Sequence, residues 1–235
     1  MIAQTVITEL HYPESDGEPM AETDLHRDWM VRIIDLLKQR YAGQQVYVSG
    51  NLLMYYVEGD ASKSVAPDAL VVKGVDPGRR RIYKIWKEGK PPNVVIETTS
   101  DSTRLNDTEK KFDLYARLGI REYFLYDPTA DYLHPPLQGH RLDDGGYEPI
   151  EPDAKGRLLS EALDLFLELD GSDLVFRDQS TGQVQYTKAE AEAANRRLAE
   201  SERDQERQAR VAAENSARQL AEELAKLRAQ MGRHS

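Results

Sequence analysis

Cysteine is absent from the 235 residues. That excludes disulfide scaffolds, thiolate zinc sites and cysteine nucleophiles. Long apolar runs are missing too: nothing approaches the roughly 20 residues that span a bilayer, and the mean hydropathy is −0.66. No membrane partner is expected. The opening MIAQTVITEL lacks the basic-then-apolar pattern of a secretory signal, so a reducing, cytoplasmic setting is the expectation. There is no GxGxxG, Walker A loop or GxSxG elbow. Five histidines (His11, His26, His134, His140 and His234) show no metal-ligand spacing such as HExxH. His26 falls on the first predicted helix and reads as structural or exposed. No internal repeat is visible.

What is present suits one globular domain with an appendage. Net charge is −10, and it is unevenly spread. Residues 188–235 hold 10 basic and 9 acidic side chains, leaving 21 basic and 32 acidic in the first 187. An acidic body argues against non-specific affinity for nucleic acid. One segment runs the other way. Residues 78–90 carry Arg79, Arg80, Arg81, Lys84, Lys87 and Lys90, with Tyr83 and Trp86 interleaved. Two readings stand for it: a phosphate-tracking loop with aromatic stacking, or a solvated face whose aromatics fold back onto the body.

Residues 1–20, with two Pro, one Gly and three acids between 11 and 20, suit an extended arm. From 24 to 41, Leu25, Trp29, Ile33, Ile34 and Leu37 recur at helical spacing, with Thr23 or Asp24 as N-cap and Gly43 as terminator. Strand-like runs follow at 45–48, 52–57 and 69–72, then at 93–98, where NVVIET reads as a buried strand ending in a carboxylate. Residues 106–118 are helical and 122–126 form a strand stopped by Asp127-Pro128. Short runs and turns continue to about 176. This order predicts a mixed α/β sheet flanked by helices. Beyond Tyr186 the composition changes: Pro is absent, Gly nearly so, and 188–231 reads as one long helix. Its best seam is Ala213, Ala217, Leu220, Leu224, Leu227 and Met231, which suits a two-stranded coiled coil. The plainer reading is a solvated, charge-laced helix.

Three side chains stand out by position. Asp68 follows Pro67 and opens the run ALVV, Glu97 ends NVVIE, and Lys111 lies in the next helix. Carboxylates at the ends of paired strands can converge and bind a hard cation such as Mg²⁺. Such an ion lowers the pKa of bound water and stabilises phosphoryl charge, and a nearby lysine can assist. Taken singly, each residue also has an ordinary role. Asp68 serves as a turn residue, Glu97 as a cap, and Asp107 with Lys111 as a surface i,i+4 pair worth about 0.2–0.5 kcal/mol. Tyr115 has a place in the core.

The stretches YVSGNLLMYY, VAPDALVV, PPNVVIETTS and DSTRLNDTEKKFDLYARLGIREYFLYDP occur in an order and spacing that resembles the Uma family of restriction-endonuclease-like proteins, within the PD-(D/E)xK nuclease superfamily. The resemblance covers roughly residues 15–175. It implies a restriction-endonuclease-like fold and metal binding by Asp68 and Glu97, with Mg²⁺ as cofactor and Mn²⁺ as a substitute. It also implies a DNA substrate. The third position of the ExK motif is Thr99 rather than lysine. The resemblance implies that the lysine comes instead from a D-x-x-x-K-x-x-x-Y series, met here by Asp107, Lys111 and Tyr115. The choice of Lys111 over Lys110 rests on that spacing alone. An acid on the first helix, Glu22 or Asp24, is implied as a supporting group.

The expected organisation is therefore an arm over 1–20, an endonuclease-like domain over 21–180 and a helical extension over 187–232. The extension is expected to form a homodimer that brings two sites together. The alternative is a catalytically silent nuclease-fold module whose C-terminal coiled coil recruits a partner. A third reading keeps the chemistry but directs it at RNA or branched DNA.

Overall fold

The structure is a computed structural model and describes residues 10–15, 23–101 and 103–231. The elements, in chain order, are α1 (Asp24–Arg40), β1 (Val46–Ser49), β2 (Met54–Tyr55), β3 (Ser64–Val65), β4 (Ala69–Lys73), β5 (Tyr83–Lys84), α2 (Ile85–Glu88) and β6 (Val94–Thr98). A π-helical turn (Asn106–Lys111) then runs into α3 (Phe112–Leu118). There follow β7 (Glu122–Tyr126), β8 (Leu137–Asp143), β9 (Gly146–Pro149), β10 (Leu158–Ser160), β11 (Leu165–Asp170), β12 (Asp173–Asp178) and α4 (Lys188–Met231). The chain divides into two units, Met1–Thr187 and Lys188–Ser235.

The first unit is built on a mixed sheet in the order β1-β4-β6-β7-β8-β9, in which β6 and β7 are parallel and the other neighbours antiparallel. Side chains alternate across it with the two-residue strand period. Ala69, Val71, Val94, Ile96, Phe124 and Tyr126 face one core, and Leu70, Val72, Val95, Tyr123 and Leu125 face the other. Both faces are covered, which is why the central runs are continuously apolar. The first core is closed by α1, through Trp29, Ile33, Leu36 and Leu37, and by the sheet β10-β11-β12. The second is closed by α3 through Tyr115, with Phe112 and Leu118 alongside.

Helix α1 begins where the sequence signals it. Thr23 Oγ1 accepts the backbone N–H of His26 at 3.2 Å, satisfying one of the free donors of the first turn. Two arginines tie the helix to its neighbours: Arg32 donates to Leu174 O at 2.7 Å and Arg40 pairs with Asp178 at 2.8 Å. The helix gives way to a turn at Tyr41, two residues before Gly43.

Three local expectations need correction. The strand expected over 52–57 is only the two residues of β2, paired antiparallel with β3 and parallel with β5. The basic segment over 78–90 is no open loop but contains β5 and α2, and its Tyr83 folds back onto the body, stacks on Tyr47 with ring centroids 6.0 Å apart and donates its hydroxyl to Lys90 O. The helix expected over 106–118 opens as a π-turn, a geometry often found at functional sites, with Asp107 and Lys111 both turned inward. Of the arm expected over 1–20, residues 10–15 are described. Tyr12 packs on Tyr55 and Trp86, and Tyr55 donates its hydroxyl to Pro13 O at 2.7 Å.

In the second unit, α4 runs for 44 residues, and Leu198, Val211, Leu220 and Leu224 are exposed on it. Among the described residues no helix is long and apolar enough to cross a membrane.

One buried carboxylate is purely architectural. Glu122 is fully buried on β7. It accepts from Arg141 Nε at 3.2 Å, from the Glu161 backbone N–H at 2.9 Å and from the Ser160 hydroxyl, and so joins β7 and β8 to the turn after β10. Glu122→Ala strips the charge from these donors. Its expected cost is about 3–5 kcal/mol of folding free energy, measured by urea unfolding.

Candidate active site

The site forms where β4 begins and β6 ends. These strands pair antiparallel, with Ala69 opposite Ile96, so Asp68 and Glu97 are brought side by side. Two reciprocal bonds lock them. The Asp68 N–H donates to Glu97 Oε2 at 3.1 Å, and the Thr98 N–H donates to Asp68 Oδ2 at 2.8 Å. The approach to Asp68 is held by the turn that follows β1. Asn51 N–H donates to Pro67 O at 2.8 Å, and Gly50 lies so near that a Cβ there would come within 1.8 Å of Asp68 O. Only glycine allows that approach.

The helical side of the site comes from the π-turn and α3. Lys111 Nζ lies 2.9 Å from Glu97 Oε2 and 3.0 Å from Asp107 Oδ1. Tyr115 donates its hydroxyl to Glu97 Oε1 at 2.7 Å. Tyr123 donates to Asp107 O at 3.1 Å, holding the π-turn against the sheet. Lys111 therefore reaches the carboxylate that a lysine at position 99 would have faced. Thr99 itself is buried.

Electrostatics distinguish the carboxylates. Burial pushes Glu97 well above the usual carboxylate range; Lys111 pulls it back, and Asp68 and Asp107 push it further up. Burial also raises Asp107, against the pull of Lys111. Burial opposes ionisation of Asp68 as well, but the bond from His26, the charge of Lys111 and the Thr98 N–H together hold it below its ordinary value. Burial works against the Lys111 ammonium, yet Glu97, Asp107 and Asp68 outweigh it and raise its pKa. The cluster thus holds one acid favoured in its ionised form, Asp68, two pushed toward their neutral form, Glu97 and Asp107, and one lysine held protonated.

That donor set suits a hard cation. Mg²⁺ takes oxygen ligands and is commonly held by one or two carboxylates, with water filling the rest, and Asp68 with Glu97 supplies those two. The buried hydroxyls of Thr98 and Thr99 have no hydrogen-bond partner in the structure. Among the described residues no group of three or more His, Asp or Glu side chains offers a ready-made cage. The arrangement is one of two acids and a lysine, with Glu97 fully buried and Asp68 and Lys111 only slightly exposed.

Asp68, Glu97, Asp107, Lys111 and Tyr115 are thus brought together. Glu22 lies outside the described residues. Asp24 is exposed and pairs with Arg27 at 3.0 Å, away from the cluster. The basic residues have partners of their own. Arg80 is bound by Glu88 at 2.7 Å and lies over the Tyr47 ring, Arg81 pairs with Glu14 at 2.6 Å, and Lys84 sits 4.0 Å from the Tyr12 ring centroid. Arg79 is exposed. A cavity of about 710 Å³ lined by His140, Ile150, Leu158 and Leu169 lies elsewhere, and none of the clustered residues lines it.

The residue that sequence reading missed is His26. It is buried, and its Nε2 lies 3.2 Å from Asp68 Oδ2. A signal was there. His26 falls three and seven residues before Trp29 and Ile33, on the buried face of α1, so it was bound to point inward.

The cluster thus joins two acids at strand ends with a lysine carried in from the next helix. The family follows from comparison. The chain belongs to the Uma2 family, described as "Putative restriction endonuclease", whose model matches residues 6–171. Among solved structures, the chain is similar to a "putative nuclease belonging to DUF820" from Anabaena variabilis ATCC 29413. The identity is 17%, the match covers 66% of this chain and 86% of that one, and the TM-score is 0.45. No curated protein matches.

The raised pKa of Glu97 gives a testable pH dependence. A cation needs the ionised carboxylate, and the proton on Glu97 competes with it. Mn²⁺ affinity is therefore expected to rise as pH increases from acid toward neutral, with protons released on binding. Calorimetry in buffers of different ionisation enthalpy measures both.

Proposed function

We propose that this protein is a Mg²⁺-dependent endonuclease, also served by Mn²⁺, that hydrolyses DNA phosphodiester bonds at a PD-(D/E)xK-type site. The observation that carries this reading is the convergence of Asp68, Glu97 and Lys111, with Lys111 Nζ 2.9 Å from Glu97 and Glu97 hydrogen-bonded to the Asp68 N–H. Membership of a restriction endonuclease family supports the substrate class.

Asp68 and Glu97 are the residues that would hold the ion. When bound, the ion supplies acidified water and stabilises charge on a phosphoryl oxygen. The protein's own groups do the rest. Tyr115 holds one oxygen of Glu97, and Asp107 holds the lysine. Lys111 is kept protonated by three acids. It therefore serves as a donor that orients the attacking water and stabilises charge on the phosphate, not as a proton acceptor. The nuclease domain spans 21–180, and Arg79, Arg80, Arg81 and Lys84 mark the surface along which a DNA backbone would run. The setting is cytoplasmic.

The same reading makes the protein a homodimer through residues 187–232, which places two sites at the service of two strands. The support is the exposed Leu220 and Leu224 on a 44-residue helix, within the sequence seam from Ala213 to Met231.

The decisive experiment is Mn²⁺ and Mg²⁺ titration of the wild type, Asp68→Ala and Glu97→Ala, followed by incubation with linear, supercoiled and branched DNA and with RNA. Asp68→Ala is expected to abolish both binding and cleavage while leaving the circular dichroism spectrum unchanged. Lys111→Met is expected to bind metal but lose about 10²–10³-fold in cleavage rate, the scale of a lost oxyanion donor. Wild-type protein that binds no metal and cleaves nothing points instead to the silent binding module. For the dimer, Leu220→Glu with Leu224→Glu is expected to convert the protein to monomers in light scattering; an unchanged mass removes the helix from the interface.

A further inference from the structure

His26 lies outside the acid–lysine series, yet it touches the acid that the series depends on. Its position is set twice over. Its backbone N–H is bound by the Thr23 cap at 3.2 Å, and α1 is anchored further along by Arg32 on Leu174 O and Arg40 on Asp178. The imidazole is 3% exposed, so water does not compete for it. Its Nε2 stands 3.2 Å from Asp68 Oδ2. That same oxygen accepts the Thr98 N–H at 2.8 Å. A backbone donor of β6 and the imidazole of α1, the latter at ion-pair distance, therefore meet at a single oxygen of Asp68.

A carboxylate approached on one oxygen by two such groups is restrained in its rotation, so that its other oxygen is the one left to be offered. Outer hydrogen bonds of this kind orient metal-binding carboxylates and contribute about 10–100-fold in affinity. The structure also provides the contrast. Both oxygens of Glu97 are engaged, by Tyr115 at one and by Lys111 and the Asp68 N–H at the other. On Asp68 the two contacts fall together on Oδ2.

We propose that His26 is a positioning residue for Asp68: its Nε2–H, donated to Oδ2, sets the direction in which Oδ1 is offered to a divalent cation. This rests on Asp68 being a metal-binding residue, as the endonuclease reading has it. His26 acts through Asp68 and does not itself meet the ion.

The test is calorimetric titration of the full chain with Mn²⁺, for wild type, Asp68→Ala, His26→Asn and His26→Gln. Glutamine places an amide nitrogen near the place of Nε2; asparagine falls short of it. His26→Asn is expected to weaken Mn²⁺ binding by about 10–100-fold, and His26→Gln to restore it. A loss of packing alone would not follow this order, because it would track the melting temperature of the metal-free protein. If His26→Asn binds as the wild type does while Asp68→Ala has lost binding, the positioning role is overturned and the metal site stands. If Asp68→Ala binds as well as the wild type, or the wild type binds nothing, the metal site falls and the role of His26 falls with it. Long-range ¹H–¹⁵N imidazole spectra of the wild type decide the matter even if a variant fails to fold. A proton on Nε2 of His26 is expected, and a bare Nε2 overturns the proposal.

Discussion

Everything in the site depends on one exchange of hydrogen bonds between two strands. Asp68 gives its backbone N–H to the Glu97 side chain, and Thr98 gives its own to the Asp68 side chain. The ladder between β4 and β6 thus continues past its last backbone pair, with carboxylates in place of carbonyls. This places two acids beside each other, where their repulsion must be offset. The π-turn and α3 supply the cation and the hydroxyl that offset it, and α1 supplies the imidazole. Sheet, helices and charges are consequences of one another here: without the exchange, Lys111 and His26 would be reaching for different places.

The buried charge explains why so much structure surrounds so few atoms. An isolated ionised carboxylate in an apolar interior is costly, and pairing repays that cost only with good geometry and with hydrogen bonds to the remaining lone pairs. Glu97 has three donors and is still pushed toward its neutral form. Glu122, equally buried, shows what saturation looks like when no chemistry is intended. Its donors come from one arginine, a serine hydroxyl and the turn that follows. A carboxylate filled by the scaffold and one left short of positive charge mark the difference between a strut and a site.

Much of this was legible beforehand, for physical reasons. The continuous apolar run of NVVIET and the carboxylate at its end locate Glu97 on a buried strand, and the Pro-Asp opening of ALVV places Asp68 at the mouth of another. Four-residue spacing puts Asp107, Lys111 and Tyr115 on one side of a helix. What escaped lies in tertiary space. The pairing of β2 with the distant β5 leaves no local pattern, and the basic run left open whether Tyr83 would stack on a ligand or fold back onto the body, as it does. The ion pairs of Arg80 with Glu88 and of Arg81 with Glu14 likewise cannot be read from a run of basic residues. His26 was on the buried face of its helix, but its partner was 42 positions away, and a single strand of text does not say which acid a histidine will meet.

The route by which the ammonium enters has its own consequence. A lysine two places along from Glu97 would have been tied to the pleat of β6, its reach set by the strand. Here it arrives from the side, and Thr99 is left to answer to packing alone. The quantity that natural variation must preserve shifts accordingly, from the identity of one strand residue to the length of the connection between Thr99 and the π-turn. A residue gained or lost in that connection would leave every strand in register and every acid in place, yet swing Lys111 away from Glu97. In such a protein the site would be lost through a change of spacing, with each of its motifs still intact.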